Sequence, residues 1–280
     1  MCKIIRFLKD GEEKFGILEE EKIKVLEGIQ KIEELFNKNQ KEIQDLAICE
    51  ILKKEVEILS PIDFPLQDVI CLGVNYLEHA KESYKFKGEA FDGKREEAVY
   101  FSKRVNQCTK PYGEFAIRGM SNALDYEVEL AFVVGKDCQN ISKEEALDYV
   151  FGYSVANDLS ARDLQKKHKQ WYAGKSLEGA LVLGPCVVLK ESLNPFNLSI
   201  QSYVNGELRQ NSNTKEMIFT IPHILSELSH YFMIKAGSLV ITGTPSGAGM
   251  GFNPPKFLKA GDEVRCCIEG IGEIVTKIIE

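Results

Sequence analysis

The pattern of apolar and polar positions changes character near residue 60. Before that point, KIIRFLKDGEEKFGILEEEKIKVLEG runs in short apolar stretches broken at Asp10-Gly11 and around Glu19–Glu21, which predicts short strands. IEELFNKNQKEIQDLAICEILKK follows with apolar residues at helical spacing. Leu59-Ser60-Pro61-Ile62-Asp63-Phe64-Pro65 carries two prolines and reads as a boundary. The expected organisation is a small β-rich N-terminal domain over 1–62 and a larger domain over 63–280.

Beyond the boundary, DVICLGVNY predicts a buried strand ending in Gly73, and a helical pattern runs from about Tyr76 to Tyr84. KFKGEAFDGKREEA, residues 85–98, is polar and charged, the composition of a loop or lid. From Leu124 onward strands dominate: DYEVELAFVVG, YSVAND, ALVLGPCVVL, LSIQSYVNGEL, SLVITGTP and DEVRCCIEGIGEIVTKI. Val204-Asn205-Gly206-Glu207 is a hairpin turn of the Asn-Gly type. SKEEALDYVFG and TIPHILSELSHYF predict helices, and no repeat recurs along the chain. The fold class is α+β and β-rich, its strands forming a rolled or barrel-like mixed sheet.

Composition narrows the function classes. The 280 residues are 44% hydrophobic and 28% charged, ordinary for a globular protein. No apolar run reaches the ~18 residues of a membrane span. MCKIIRFLKDGEEK meets charges too early for a signal-peptide core, so the cytoplasm is the expected compartment. Cys71, Cys138 and Cys186 lie in or beside apolar runs and no CxxC pair occurs, so the cysteines are read as reduced thiols. A net charge of −7 argues against nucleic acid as a partner, and an anionic substrate would need local cations.

Candidate chemistry starts at Glu127-Val128-Glu129. Residues two apart on a strand share a face, so both carboxylates point the same way, and that face continues as Ala131 and Val133. Two buried glutamates side by side repel and lose hydration unless a cation sits between them. The same spacing also suits a strand with one wet face. Asp158 ends the strand-like YSVAND, where a third carboxylate could converge, although Asp before SARDLQKKH also suits a helix N-cap. Three carboxylates without His or Cys make an all-oxygen site for Mg²⁺ or Mn²⁺, less obviously Ca²⁺. His79 and Glu82 stand at i and i+3 on a helix, a base with an orienting carboxylate or an incidental exposed pair. Arg162, Lys175 and Lys103 are candidate cations among 35 Lys and Arg, most of which are surface charges. Ile241-Thr242-Gly243-Thr244-Pro245-Ser246-Gly247 ends a strand in a turn able to present hydroxyl and N–H donors to an anion. Gly247 to Gly251 fits neither GxGxxG nor a P-loop, which excludes nucleotide binding by those motifs.

Taken in order, GVNYLEHAKES, YFSK, LDYEVELAFVVGK, GYSVANDLSARDLQ, GKS, LGP, VNGELRQ, TGTPSGAG and LKAGDEVRCCIEGIG resemble the fumarylacetoacetate hydrolase family over residues 68–280. The resemblance is to its bacterial acylpyruvase, oxaloacetate decarboxylase and hydroxy-dienedioate isomerase branch. It implies Glu127, Glu129 and Asp158 as metal ligands and His79 with Glu82 as the catalytic dyad on a lid. It also places Arg162, Gln165, Lys175 and Thr244 around the substrate; the expected mechanism has Lys175 stabilise an enolate, and Lys103 is a further cation candidate for substrate binding. A mixed β-roll, usually a homodimer, is the implied fold, with a small anionic substrate and no membrane partner. C–C hydrolysis of an acylpyruvate is the first expectation. Oxaloacetate decarboxylation or tautomerisation comes second and 2-hydroxyhepta-2,4-diene-1,7-dioate isomerisation third, with a non-catalytic metal- or ligand-binding relative as the non-enzyme alternative. The chain departs from the family pattern at Gly237-Ser238, in the long stretch between Glu82 and Tyr100, and at Asn106-Gln107-Cys108.

Overall fold

The computed structural model describes residues 1–280 except 89, 92, 94 and 95 and the side chain of Lys87. The expected lid segment 85–98 contains those four positions, so that expectation lies partly outside the described residues.

Strands are added in chain order. The first part supplies β1 (Lys3–Lys9), β2 (Glu12–Glu19), β3 (Lys22–Leu26), β4 (Ala47–Leu52) and β5 (Glu57–Leu59), with a short helix α1 (Gln40–Gln44) before β4. Then come β6 (Val69–Gly73), α2 (Leu77–Lys87), β7 (Val99–Lys103), β8 (Tyr112–Ala116), β9 (Leu124–Asp125), β10 (Val128–Val134) and β11 (Val150–Asp158). After β12 (Ser160–Ala161) follow α3 (Arg162–His168), α4 (Tyr172–Lys175), β13 (Leu181–Leu189), β14 (Ser199–Val204), β15 (Glu207–Asn213) and α5 (Ile221–Tyr231). The chain closes with β16 (Leu239–Ile241), β17 (Glu263–Ile268) and β18 (Gly272–Ile279).

One large mixed sheet has the order β4-β3-β2-β1-β13-β11-β10-β16-β6-β7, with β5 paired to β1, and β16–β6 is its parallel pair. A second sheet runs β15-β14-β17-β18-β8, parallel only between β18 and β8. The strand-rich α+β class with mixed sheets is as expected, but both sheets stay open rather than closing into a barrel. Residues 1–62 contribute β1 to β5 to the same sheet that carries the carboxylates, through pairs such as Ile4 with Val187.

Period-two patterning explains where the cores sit. On β10, Val128, Leu130, Phe132 and Val134 enter one core with α5 and the second sheet, including Ile224, Leu225, Val264 and Ile274. Ala131 and Val133 face a second core with Ile32, Leu35 and Ile43 of the first part of the chain. A strand buried on both faces is an uninterrupted apolar run, and each fully buried Leu, Val or Phe contributes about 1.5–3 kcal/mol of transfer free energy.

Two expectations fail for a common reason. Ala47–Leu52 lies in the stretch read as helical but forms β4, with Lys24 opposite Glu50. SKEEALDYVFG yields one 3-10 turn over Ala146–Tyr149, and Val150-Phe151-Gly152 begins β11. In both cases cross-strand pairing available only in the folded chain outweighs the local pattern. The Asn205-Gly206 turn forms as expected, both residues left-handed at φ 51° and 80°. None of the eight cysteines is in a disulfide. No helix among the described residues is long and apolar enough to cross a membrane.

Candidate active site

Antiparallel register brings the carboxylates together. Glu129 lies opposite Ala156, so Asp158, two residues on, shares that face and stands beside Glu127, whose carbonyl accepts from the Asp158 N–H at 2.9 Å. One oxygen from each of Glu127, Glu129 and Asp158 lies within 4.8 Å of the others, and all three residues are buried. The wet-face alternative for Glu127 and Glu129 is therefore excluded. Asp158 does not cap α3 either, because β12 intervenes and Ala161 holds the cap position.

Burying three carboxylates costs several kcal/mol each unless cations compensate. Lys175 Nζ sits between Glu127 Oε2 and Asp158 Oδ2 and bonds both. Arg162 donates from Nη2 to Glu127 Oε1 at 2.5 Å and from Nε to Asp125 Oδ2 at 2.9 Å. Lys103 Nζ lies 2.7 Å from Asp158 Oδ1 but directs its hydrogen bond to the Leu159 carbonyl at 3.1 Å. That leaves Asp158 Oδ1 buried without a hydrogen bond. Burial alone would raise the Glu127 carboxyl, yet the Arg162 and Lys175 charges hold it well below the usual carboxylate range. Glu129 has no ion-pair partner among the described residues, only the Gly243 N–H at 2.6 Å. Burial, then the Asp158 and Glu127 charges, pushes its carboxyl well above the usual range. A divalent cation fits this donor set: oxygens only, one Asp158 oxygen without a hydrogen bond, and one carboxylate without an ion-pair partner among the described residues.

The roof is α2. His79 is 4% exposed and faces the same cavity as Glu127 and Glu129, while its Nδ1 is 3.5 Å from Glu82 Oε2, long for a hydrogen bond. Both Glu82 oxygens accept from the Gly247 N–H, at 3.0 and 3.1 Å. Gly251 is glycine because Glu82 packs on it: a Cβ there would stand 2.7 Å from the Glu82 carboxyl carbon. The anions received by the turn after β16 are thus the protein's own, Glu129 at Gly243 and Glu82 at Gly247.

The cavity, about 510 Å³, is lined by predicted residues His79, Glu127, Glu129, Arg162, Gln165, Lys175 and Thr244. Arg162 also donates to Gln165 Oε1 at 3.1 Å, and the Thr244 hydroxyl donates to the Val128 carbonyl at 2.9 Å. Lys103, expected at the substrate, is instead fully buried behind Asp158, outside the cavity lining, because the β7 end passes under the carboxylates. Sequence reasoning missed Asp125. It is fully buried and accepts from Arg162 and from the backbone N–H groups of Gly249 and Met250 at 2.6 and 3.1 Å. Its signal was present as the first carboxylate of the alternating Asp125, Glu127, Glu129 series. Trp171, Phe101 and Phe86, also unforeseen, form the apolar wall.

Comparison with known proteins identifies the family. A model described as fumarylacetoacetate (FAA) hydrolase C-terminal matches residues 68–279, and one described as Rv2993c-like, N-terminal matches residues 2–42. Oxaloacetate tautomerase YisK of Bacillus subtilis is 42% identical over 230 residues, covering 80% of this chain and 73% of that protein. The mitochondrial oxaloacetate tautomerase FAHD2B of Homo sapiens is 39% identical over 228 residues, covering 80% and 70%. Among solved structures, fumarylacetoacetate hydrolase from psychrophilic Exiguobacterium antarcticum superposes with a TM-score of 0.86 at 33% identity, covering 100% of this chain and 99% of that one. With the motifs, the fold and the carboxylate cluster in agreement, the chain belongs to the fumarylacetoacetate hydrolase family of enzymes.

Proposed function

We propose that this enzyme interconverts the keto and enol forms of oxaloacetate or a closely similar 2-oxo dicarboxylate, with Mg²⁺ or Mn²⁺ held by Glu127, Glu129 and Asp158. The observation that carries this is one cavity holding an all-oxygen carboxylate cluster and, facing it, His79 backed by Glu82. The names of the tautomerase relatives favour this reaction over others reached through the same enolate. A bound divalent cation would supply Lewis-acid polarisation of the substrate's 2-oxo group.

The chain's own residues move the proton. In the keto-to-enol direction His79 takes a proton from C3, the C–H electron pair becomes the C2–C3 double bond, and the C2 oxygen gains charge and then a proton. Glu82, fixed at Gly247, orients the imidazole, and a base so placed is worth about 10²–10⁴ in rate. Burial would lower the Lys175 ammonium, but Asp158 and Glu127 raise it instead, so Lys175 stays charged and acts by electrostatics rather than as a base.

A second reaction is hydrolysis of an acylpyruvate, favoured by the full-length likeness to the Exiguobacterium antarcticum hydrolase. There His79 would deprotonate water for attack at C4, the C3–C4 bond would break, and the electron pair would pass to a pyruvate enolate. One experiment separates the two. Metal-stripped protein is assayed with and without Mg²⁺ or Mn²⁺ on oxaloacetate and acetylpyruvate, following ultraviolet change of the enol and pyruvate release. Metal-restored enol conversion of oxaloacetate without pyruvate is expected. Pyruvate from oxaloacetate would replace the assignment with decarboxylation, and pyruvate from acetylpyruvate with hydrolysis. No metal-dependent turnover of either would overturn it.

A further inference from the structure

The three cations nominated by sequence are occupied by the cavity floor. Lys103 is held against Asp158 and the Leu159 carbonyl, Lys175 between Glu127 and Asp158, and Arg162 by Asp125, Glu127 and Gln165. A dicarboxylate whose 2-oxo acid end lies on this floor still has a second carboxylate to place.

The wall formed by α3 and the turn after it has what that carboxylate needs. Lys166 and Lys169 both line the cavity, both are exposed, and neither has an acidic partner among the described residues. They bracket Lys167 and His168 in a run of four basic residues, in a chain of net charge −7. The negative end of a helix accounts for basic residues in its last turn. Lys169 is the C-cap residue of α3, in a left-handed conformation, φ 57°, that residues with a Cβ rarely adopt, and of the four basic residues it and Lys166 are the two that line the cavity. That conformation ends the helix with Lys169 and Trp171 both in the cavity wall.

We propose that Lys166 and Lys169 form a second anionic subsite that receives the distal carboxylate of the substrate and so selects dicarboxylates over 2-oxo monoacids. This rests on the reading that the 2-oxo acid end is held at Glu127, Glu129 and Asp158. Because both ammonium groups meet solvent, their contribution is moderate and falls with added salt.

Binding tests it without turnover. Mn²⁺-loaded protein is titrated calorimetrically with malate and with lactate, which share a 2-hydroxy carboxylate and differ in the distal carboxylate. The wild type is expected to bind malate about five- to tenfold tighter than lactate, as one or two screened charge contacts allow. The double variant K166Q/K169Q should lose that preference, whereas K167Q, outside the cavity lining, should keep it. Equal binding of the two acids by the wild type, or a preference that survives in the double variant, overturns the subsite. Turnover of oxaloacetate against its 4-methyl ester separates this from the reaction itself. A lysine-dependent malate preference without oxaloacetate turnover keeps the subsite and removes the tautomerase assignment. Equal turnover of acid and ester in both proteins does the reverse.

Discussion

Glu127, Glu129 and Asp158 stand at the ends of strands buried along their whole length, whereas His79 and Glu82 stand on a helix that turns Leu77, Glu78 and Lys81 to solvent. Three ion-paired cations and an antiparallel register hold the first group. The second depends on one backbone N–H at Gly247 and a close fit to Gly251. In the proposed reaction, the carboxylates that would hold the cation belong to the sheet, and the proposed base belongs to a helix with one face in solvent.

The largest effect should come from the floor. Glu129→Gln is expected to lower metal-dependent kcat/KM about a thousandfold and to abolish the metal-induced rise in Tm. Its metal-free Tm should hold or rise, since the replaced carboxyl is one that burial and its neighbours disfavour as an anion. Glu127→Gln should behave oppositely in the metal-free protein, losing about 3 kcal/mol because buried Arg162 and Lys175 each lose one of their two carboxylate partners. Equal melting curves for the two variants would break the distinction drawn between these glutamates.

At the roof, His79→Ala should cost about a hundredfold in kcat while leaving the metal-induced Tm shift intact. Loss of that shift would mean that roof and floor are not independent. Gly251→Ala should displace the Glu82 carboxylate and reduce kcat about tenfold, again without changing the metal response. The smallest effect concerns pH. Glu129 is raised, so below its folded value it carries a proton that a cation must displace; metal affinity therefore grows as pH rises through that value, by at most about tenfold per unit. Metal-induced Tm shifts measured from mildly acidic to mildly alkaline pH test the sign, and a shift that shrinks as pH rises would contradict it.

Strand alternation made the floor legible, because Glu127 and Glu129 had to share a face and Ala131 with Val133 marked that face as buried. What alternation did not carry was charge balance. Lys103 looked like a substrate contact until the end of β7 was seen to run beneath Asp158, and Arg162 looked available until Asp125 was placed beside it. Such pairings join residues tens of positions apart and exist only once the sheet order is set. The same limit explains Ala47–Leu52, whose apolar spacing suited a helix and whose conformation was decided by β3 alongside it. Lys166 and Lys169 read as surface charge in the sequence, and only the cavity outline gives them a role.

The pairing of β1 with β13 decides which strand is left at the edge of the large sheet. β13 is buried at every position from Leu181 to Leu189, and one of its edges is covered by Lys3 and Ile4. Ile32, Leu35 and Ile43 close one face of the same sheet, and the Phe36 ring packs tilted against Phe151, their centroids 4.8 Å apart. Cutting the chain at the two prolines near residue 63 would strip both coverings at once. An apolar strand with unpaired backbone groups is a template for another copy of itself, so a chain cut there is expected to aggregate through β13, whereas in the whole chain the open edge of the sheet at that end is β4.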